Sequence, residues 1–211
     1  MEGLQRLIEG FRLSPQQKRI WRLQQDSQAY NAQCAILIEG DLKPKALEAA
    51  LNKMMRKHEI LRTVLDWFPG LETPIQIVLE NPPLPSRNVD LSDYQPEYLE
   101  AVIDNYFRDE SRAFDLKRGL LTRFCLGRLS ASRQVLLISA HSICADSWTL
   151  RNMFREVSRF YAAELEGREL SDEPTQYLQF SEWLNELLEE GGEAPEGSSL
   201  NVNHSDLALP L

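Results

Sequence analysis

SAHSICADSWTL, residues 139–150, joins two different sequence patterns. Before it runs Val135-Leu136-Leu137-Ile138, with the length and β-branched content of a covered strand. After it, Leu150, Met153, Phe154, Val157, Phe160, Tyr161 and Leu165 recur at helical spacing, which predicts one inward face on a helix from Trp148 to Glu166. The stretch is therefore a strand-to-helix connection carrying His141, Ser142, Cys144 and Asp146. Immediately upstream, LLTRFCLGRLSASRQVLLISAH, residues 120–141, reads as two strands joined at the polar turn Ser130-Ala131-Ser132. The second strand delivers His141 to its end.

Farther out, Ser14 suits a helix cap and Pro15 a first helical position, with Ile20, Trp21 and Leu23 following. Cys34, Ile36 and Ile38 mark a strand that Gly40 ends. From Lys45 to Lys57 the positions Leu47, Ala50, Leu51, Met54 and Met55 predict an amphipathic helix. TPIQIVLE, residues 73–80, predicts a strand, and the prolines of NPPLPS, residues 81–86, break regular structure after it. A helix is predicted over Glu97–Arg112 with Tyr98, Leu99, Val102, Ile103, Tyr106 and Phe107 inward, and another over YLQFSEWLNELLEE, residues 177–190. Residues 191–211 are rich in Gly, Pro and Ser without periodicity, as expected of a poorly ordered linker or truncated crossover. Residues 1–190 are expected to form one unit, an α/β sandwich of helices packed on a mixed sheet.

A chain of 211 residues with 43% hydrophobic and 26% charged content has the profile of a globular protein, able to bury roughly 70% of its unfolded surface. Its net charge is −9, and its basic residues are scattered among acids without forming a stripe, which argues against nucleic-acid binding. Cys34, Cys125 and Cys144 are odd in number, far apart and in apolar sequence, which suits reduced buried thiols in a cytosolic compartment. No apolar run nears the ~20 residues needed to span a bilayer. A cytoplasmic location and no membrane partner are expected.

Five segments, in order, resemble one family. Ser14-Pro15-Gln16-Gln17-Lys18-Arg19-Ile20-Trp21 is similar to S-x-A-Q-x-R-L-W, and Lys57-His58-Glu59-Ile60-Leu61-Arg62-Thr63 to R-H-E-x-L-R-T. Ala113-Phe114-Asp115-Leu116, with Gly119, Leu120 and Arg123, resembles P-F-D-L-x-x-G-P-L-x-R; residues 141–147 resemble H-H-x-x-x-D-G, and Tyr177–Trp183 resembles Y-x-D-F-A-x-W. These are motifs of nonribosomal peptide synthetase condensation domains, which share the chloramphenicol acetyltransferase-like fold. The resemblance covers about residues 11–190, implying one lobe of a two-lobed fold, the N-terminal one. It implies amide-bond formation between aminoacyl or peptidyl thioesters held on peptidyl carrier proteins. The phosphopantetheine arm belongs to the carrier, so no cofactor or metal is expected on this chain. The other expected partners are the C-terminal condensation lobe, neighbouring synthetase domains, or a second copy covering the absent lobe's face in a homodimer.

In the family, the second His of the motif faces the reaction tunnel as general base or amine-positioning group, and the Asp is structural. Asp146 sets the register here: His141 matches the first His and Ser142 stands at the catalytic position. Placing His141 on the second His requires a one-residue slip near a strand end, which turns its side chain to the other face. A serine hydroxyl is not basic at neutral pH and orients at most. Ser147 replaces the motif glycine, where it narrows the tunnel mouth or caps the helix that Trp148 opens.

Simpler readings stand beside these. His141 reads as a strand-end imidazole bonded into the core. Asp146 is expected to interact with the helix dipole and pair with Arg62, and His58 either supports Glu59 and Arg62 or is a surface histidine. His141, Cys144 and Asp146 are all metal-ligand types but lack a completing cluster, and Cys144 beside Ile143 and Ala145 reads as buried rather than nucleophilic. Two functions follow: an acyltransferase lobe inactive by itself, or a non-catalytic carrier-docking module.

Overall fold

The computed structural model describes residues 10–24, 31–111, 114–116, 119–171 and 174–190. The segment 191–211 and Ala113 lie outside them.

Among the described residues, seven strands and five helices follow in the order β1 (Gly10–Arg12), α1 (Pro15–Gln24), β2 (Asn31–Glu39), α2 (Pro44–Lys57), β3 (Thr63–Asp66), β4 (Ile75–Val78), β5 (Ser86–Asp90), α3 (Leu99–Ser111), β6 (Thr122–Arg128), β7 (Arg133–His141), α4 (Ser147–Leu165) and α5 (Tyr177–Glu190). Short 3-10 turns at Glu59–Arg62 and Pro96–Tyr98 precede β3 and α3.

The main sheet has the order β2-β7-β6-β5, antiparallel except for the parallel β5–β6 pair. The β6–β7 pair is the expected hairpin, and β7 lies inside the sheet with β2 on its other edge. Period-two alternation sorts the strands' side chains onto two faces. Phe124, Leu136, Ile138 and Ala140 meet the apolar faces of α2 and α4. Cys125, Val135 and Leu137 meet Leu99, Val102, Ile103 and Tyr106 of α3. With helices over both faces, β7 is apolar at consecutive positions. Gly127 of β6 sits where a Cβ would lie 2.8 Å from Leu91 Cδ1 and 2.9 Å from Val135 Cγ1, so only glycine admits their close approach.

Several expectations are corrected. Phe154 and Leu165 of α4 face solvent, because the buried set Leu150, Met153, Val157 and Phe160 already fills the inward stripe at spacings of three and four. Tyr98 is exposed because it belongs to the 3-10 turn before α3. Strands β1, β3 and β5 went unread: each has three to five residues, too few to set up a period, and β5 begins directly after the prolines.

A second sheet, β1-β4-β3, is antiparallel throughout. It is tied to α1 and α5 largely by polar side chains. Ser14 and Gln17 form a reciprocal cap at the start of α1: the Ser14 N–H donates to Gln17 Oε1 at 2.8 Å and the Gln17 N–H to Ser14 Oγ at 3.2 Å. Gln76 of β4 donates through Nε2 to the Arg12 carbonyl at 3.0 Å, the Ser181 hydroxyl to the same carbonyl at 2.8 Å, and Asn185 Nδ2 to the Leu13 carbonyl at 3.1 Å. These satisfy backbone groups that burial would otherwise leave unpaired.

Candidate functional site

The strand-to-helix connection leaves the interior of the main sheet. The His141 N–H donates to the Leu121 carbonyl at 2.8 Å, which holds the end of β7 in register. The chain then turns tightly, with the N–H groups of Cys144 and Ala145 donating to the His141 carbonyl at 2.9 and 3.2 Å. The Gln17 amide anchors this turn from outside: its Nε2 donates to the Ile143 carbonyl at 3.0 Å and to Gln76 Oε1 at 2.8 Å. One buried side chain thus ties the turn to α1 and the second sheet.

His141 is 6% exposed. Its Nδ1 accepts the Ile143 N–H at 3.2 Å, which places the ring proton on Nε2 in the neutral form, and Phe114 lies edge-on with ring centroids 6.1 Å apart. Burial lowers its pKa to about 4, so the ring is neutral at pH 7. Cys144 is buried, its thiol directed at the carbonyls of Leu121 and His141 at 3.3 and 3.2 Å. Burial pushes this thiol up to about 12, so it is un-ionised and not a nucleophile at neutral pH. Among the described residues no group of three or more His, Cys, Asp or Glu side chains gathers as a metal site.

Ser142 lies between these two buried side chains and is half-buried. Its hydroxyl has no hydrogen-bond partner among the described residues. The neighbouring imidazole does not activate it: Nδ1 is already occupied by the Ile143 N–H, and the ring is packed against Phe114.

Asp146 caps α4. Its Oδ1 accepts from the Thr149 N–H and hydroxyl, both at 2.7 Å, and the Thr149 hydroxyl bond, followed by the backbone bond, holds its carboxyl below the usual range. Ser147 is the first helical residue and exposed, so the cap is Asp146 and not Ser147. The expected Arg62–Asp146 ion pair is absent. Arg62 instead donates through Nη1 to the Leu79 carbonyl at 2.7 Å and has Nη2 3.6 Å from Glu59. The physical reason lies in the cap: Thr149 draws the Asp146 carboxylate back over its own helix end, while the Leu79 carbonyl and Glu59 hold Arg62 by the 3-10 turn and β4.

His58 joins a different pair. Its Nε2 lies 2.5 Å from Glu156 Oε2 on α4, and Lys57 Nζ lies 2.6 Å from Glu156 Oε1. The K-H-E segment thereby clamps the end of α2 to α4. Trp148 is 56% exposed, with the Arg151 guanidinium 5.7 Å from its ring centroid.

The structure therefore brings His141, Ser142 and Asp146 into one turn and leaves Arg62 and His58 on neighbouring elements. The residue missed in the sequence is Gln17. Its place three residues after Ser14 signalled a capping box, but nothing local signalled its reach to Ile143. No helix among the described residues is long and apolar enough to cross a membrane.

Comparison with known proteins agrees with this architecture. The Condensation domain profile matches residues 9–193. Chondramide synthase of Chondromyces crocatus is 34% identical over 180 residues, covering 82% of this chain and 5% of that protein. Tyrocidine synthase 3 of Brevibacillus parabrevis is 32% identical over 186 residues, covering 87% and 3%. Among solved structures, the X-domain in its complex with OxyB from teicoplanin biosynthesis superposes with a TM-score of 0.76 at 29% identity, covering 91% of this chain and 41% of that one. The starter condensation domain of rhizomide synthetase gives 0.74 at 23% identity, covering 85% and 44%, a likeness of fold. The chain thus spans less than half of each of these solved chains, as one lobe of an α/β fold does, and a small part of each synthetase. With the profile spanning most of its length and the motif turn in its expected place between β7 and α4, the chain belongs to the condensation-domain family.

Proposed function

We propose that residues 1–190 are the N-terminal lobe of a nonribosomal peptide synthetase condensation domain, and that this chain alone does not turn over. The reaction of the class joins an acceptor amine to a donor thioester. The nitrogen attacks the carbonyl carbon, a C–N bond forms as the C–S bond breaks, the nitrogen loses a proton and the thiolate of the donor arm departs. Both arms belong to carrier proteins, so this chain supplies docking surface and groups around the reacting atoms.

The observation that carries the reading is the turn itself. The histidine of the turn is buried, neutral and used by the Ile143 N–H, while the position that the family motif gives to its second His holds the hydroxyl of Ser142. A hydroxyl donates or accepts a hydrogen bond to an amine but takes up no proton at neutral pH. His141 and Asp146 then shape the turn and cap the helix, and Ser142 at most orients.

The alternative is a carrier-docking module without turnover. The same loss of a base at residue 142 favours it, and so does the related X-domain having been solved in complex with another protein, OxyB. A twofold dimer through the face beside His141 and Ser142 is the expected form of the isolated chain, measured by sedimentation over a concentration series.

The test supplies two loaded carrier proteins and measures amide product by mass spectrometry. No product above uncatalysed aminolysis is expected. Turnover by the chain alone would overturn the reading, and carrier binding without turnover favours the docking module.

A further inference from the structure

The solvent face of α4 corrects the expectation that the basic residues form no stripe. Arg151, Arg155 and Arg159 recur every four residues along it and are all exposed, so a chain whose basic residues look scattered presents a stripe. The two acids of α4 are turned away from it: Glu156 holds Lys57 and His58, and Glu164 holds Lys53 at 2.6 Å. Among the described residues Arg151 and Arg155 make no ion pair, and Arg151 lies against the Trp148 ring. Trp148 and Phe154 border the stripe, 56% and 39% exposed.

Three facts decide what this face fits. The chain has a net charge of −9, so a positive stripe is a local exception that attracts and orients an acidic surface. Tryptophan and arginine side by side, with a second aromatic, have the composition of interface anchors. The stripe also starts close to the Asp146 cap, so its near end adjoins the turn of Ser142. A protein seated along the ~28 Å of this helix has one end next to the turn, which on the proposed reading is where the tethered arm acts.

We propose that the outer face of α4, with Trp148 and Phe154 as anchors and Arg151 and Arg155 as charged guides, is the docking surface for the acidic face of a carrier-protein domain. This rests on the reading of the chain as a carrier-binding lobe and adds the surface.

The experiment measures binding of the full chain to the holo carrier-protein domain of its own synthetase, at low and high salt. Arg151→Glu with Arg155→Glu is compared with Lys45→Glu, an exposed cation on α2. The double reversal is expected to weaken the Kd about tenfold or more and to flatten its salt dependence, whereas Lys45→Glu leaves both unchanged. Trp148→Ala is expected to weaken binding with little change in salt dependence. Circular dichroism and melting midpoints check each fold; if the double reversal fails to fold, Arg155→Ala and Trp148→Ala carry the test. Carrier binding that ignores the stripe overturns the surface and leaves the carrier-binding reading standing. No binding by any form overturns both. Loss of self-association in place of carrier affinity assigns the stripe to a second copy of the chain and overturns the proposal.

Discussion

The two sheets of this lobe are held together by different physics. The main sheet is covered by apolar side chains on both faces, from α2 and α4 on one side and α3 on the other. The small sheet is fixed to α1 and α5 by amide and hydroxyl groups of Gln17, Gln76, Ser181 and Asn185, all buried. Apolar burial is non-directional and tolerates repacking, whereas a buried polar network specifies one geometry and is costly when half-satisfied. The site turn leaves the first region and is pinned by the second, so its position depends on both.

The largest expected effect tests the apolar side. Phe124→Ala removes a side chain 2% exposed at the centre of the main sheet and should cost about 3–5 kcal/mol, read from the midpoint of urea unfolding. A shift under about 1 kcal/mol would mean that the sheet is not the principal store of stability.

Next comes pH, acting on His141 at the junction of the regions. Its folded pKa of about 4 lies below the ordinary value of about 6.5, so the unfolded chain binds the proton first as pH falls. This contribution is complete above about pH 6.5 and is lost between there and pH 4, where it amounts to roughly 3 kcal/mol. His141→Gln should flatten that part of the stability profile. Parallel profiles for both proteins would show that the ring is not held neutral.

Gln17→Leu tests the polar side. It strips partners from the Ser14 N–H, the Ile143 carbonyl and Gln76 and should cost roughly 2 kcal/mol. The sharper readout is location: amide exchange should quicken in β1, β3, β4 and the Ser142 turn while β6 and β7 keep their protection. Uniform acceleration would mean that the two regions unfold as one unit.

The smallest effect concerns the cap. Asp146→Ala should lower stability by about 1 kcal/mol, and Asp146→Asn, an equally good cap, by a few tenths. A loss in Asp146→Asn as large as in Asp146→Ala would require a role for the charge itself, contrary to the separation of Arg62 from Asp146.

The longer elements were legible because their apolar residues repeat. Leu47, Leu51 and Met54 on α2, and Leu150, Met153 and Val157 on α4, state a helix and its inward face within a few turns. The unbroken apolar run Val135–Ile138 in β7 states a covered strand. The short strands carry no such period: Thr63–Asp66 has four residues and follows directly on the 3-10 turn Glu59–Arg62, and Ser86–Asp90 is largely polar and mostly exposed at a sheet edge. At the site, the succession His141, Ser142, Asp146 was legible as a motif, and Ser142 as a departure from it.

Neighbours along the chain account for the periodic faces, the Ser14–Gln17 cap, the position of the Asp146 cap and the lack of an imidazole at residue 142. Packing between distant elements chose the partners. It gave Arg62 to the Leu79 carbonyl, gave His58 to Glu156 and aimed Gln17 at Ile143. Local pattern sets which way a side chain faces on its own helix or strand, but its partner depends on how those elements pack, and charge and amide groups accept many partners of equal local merit.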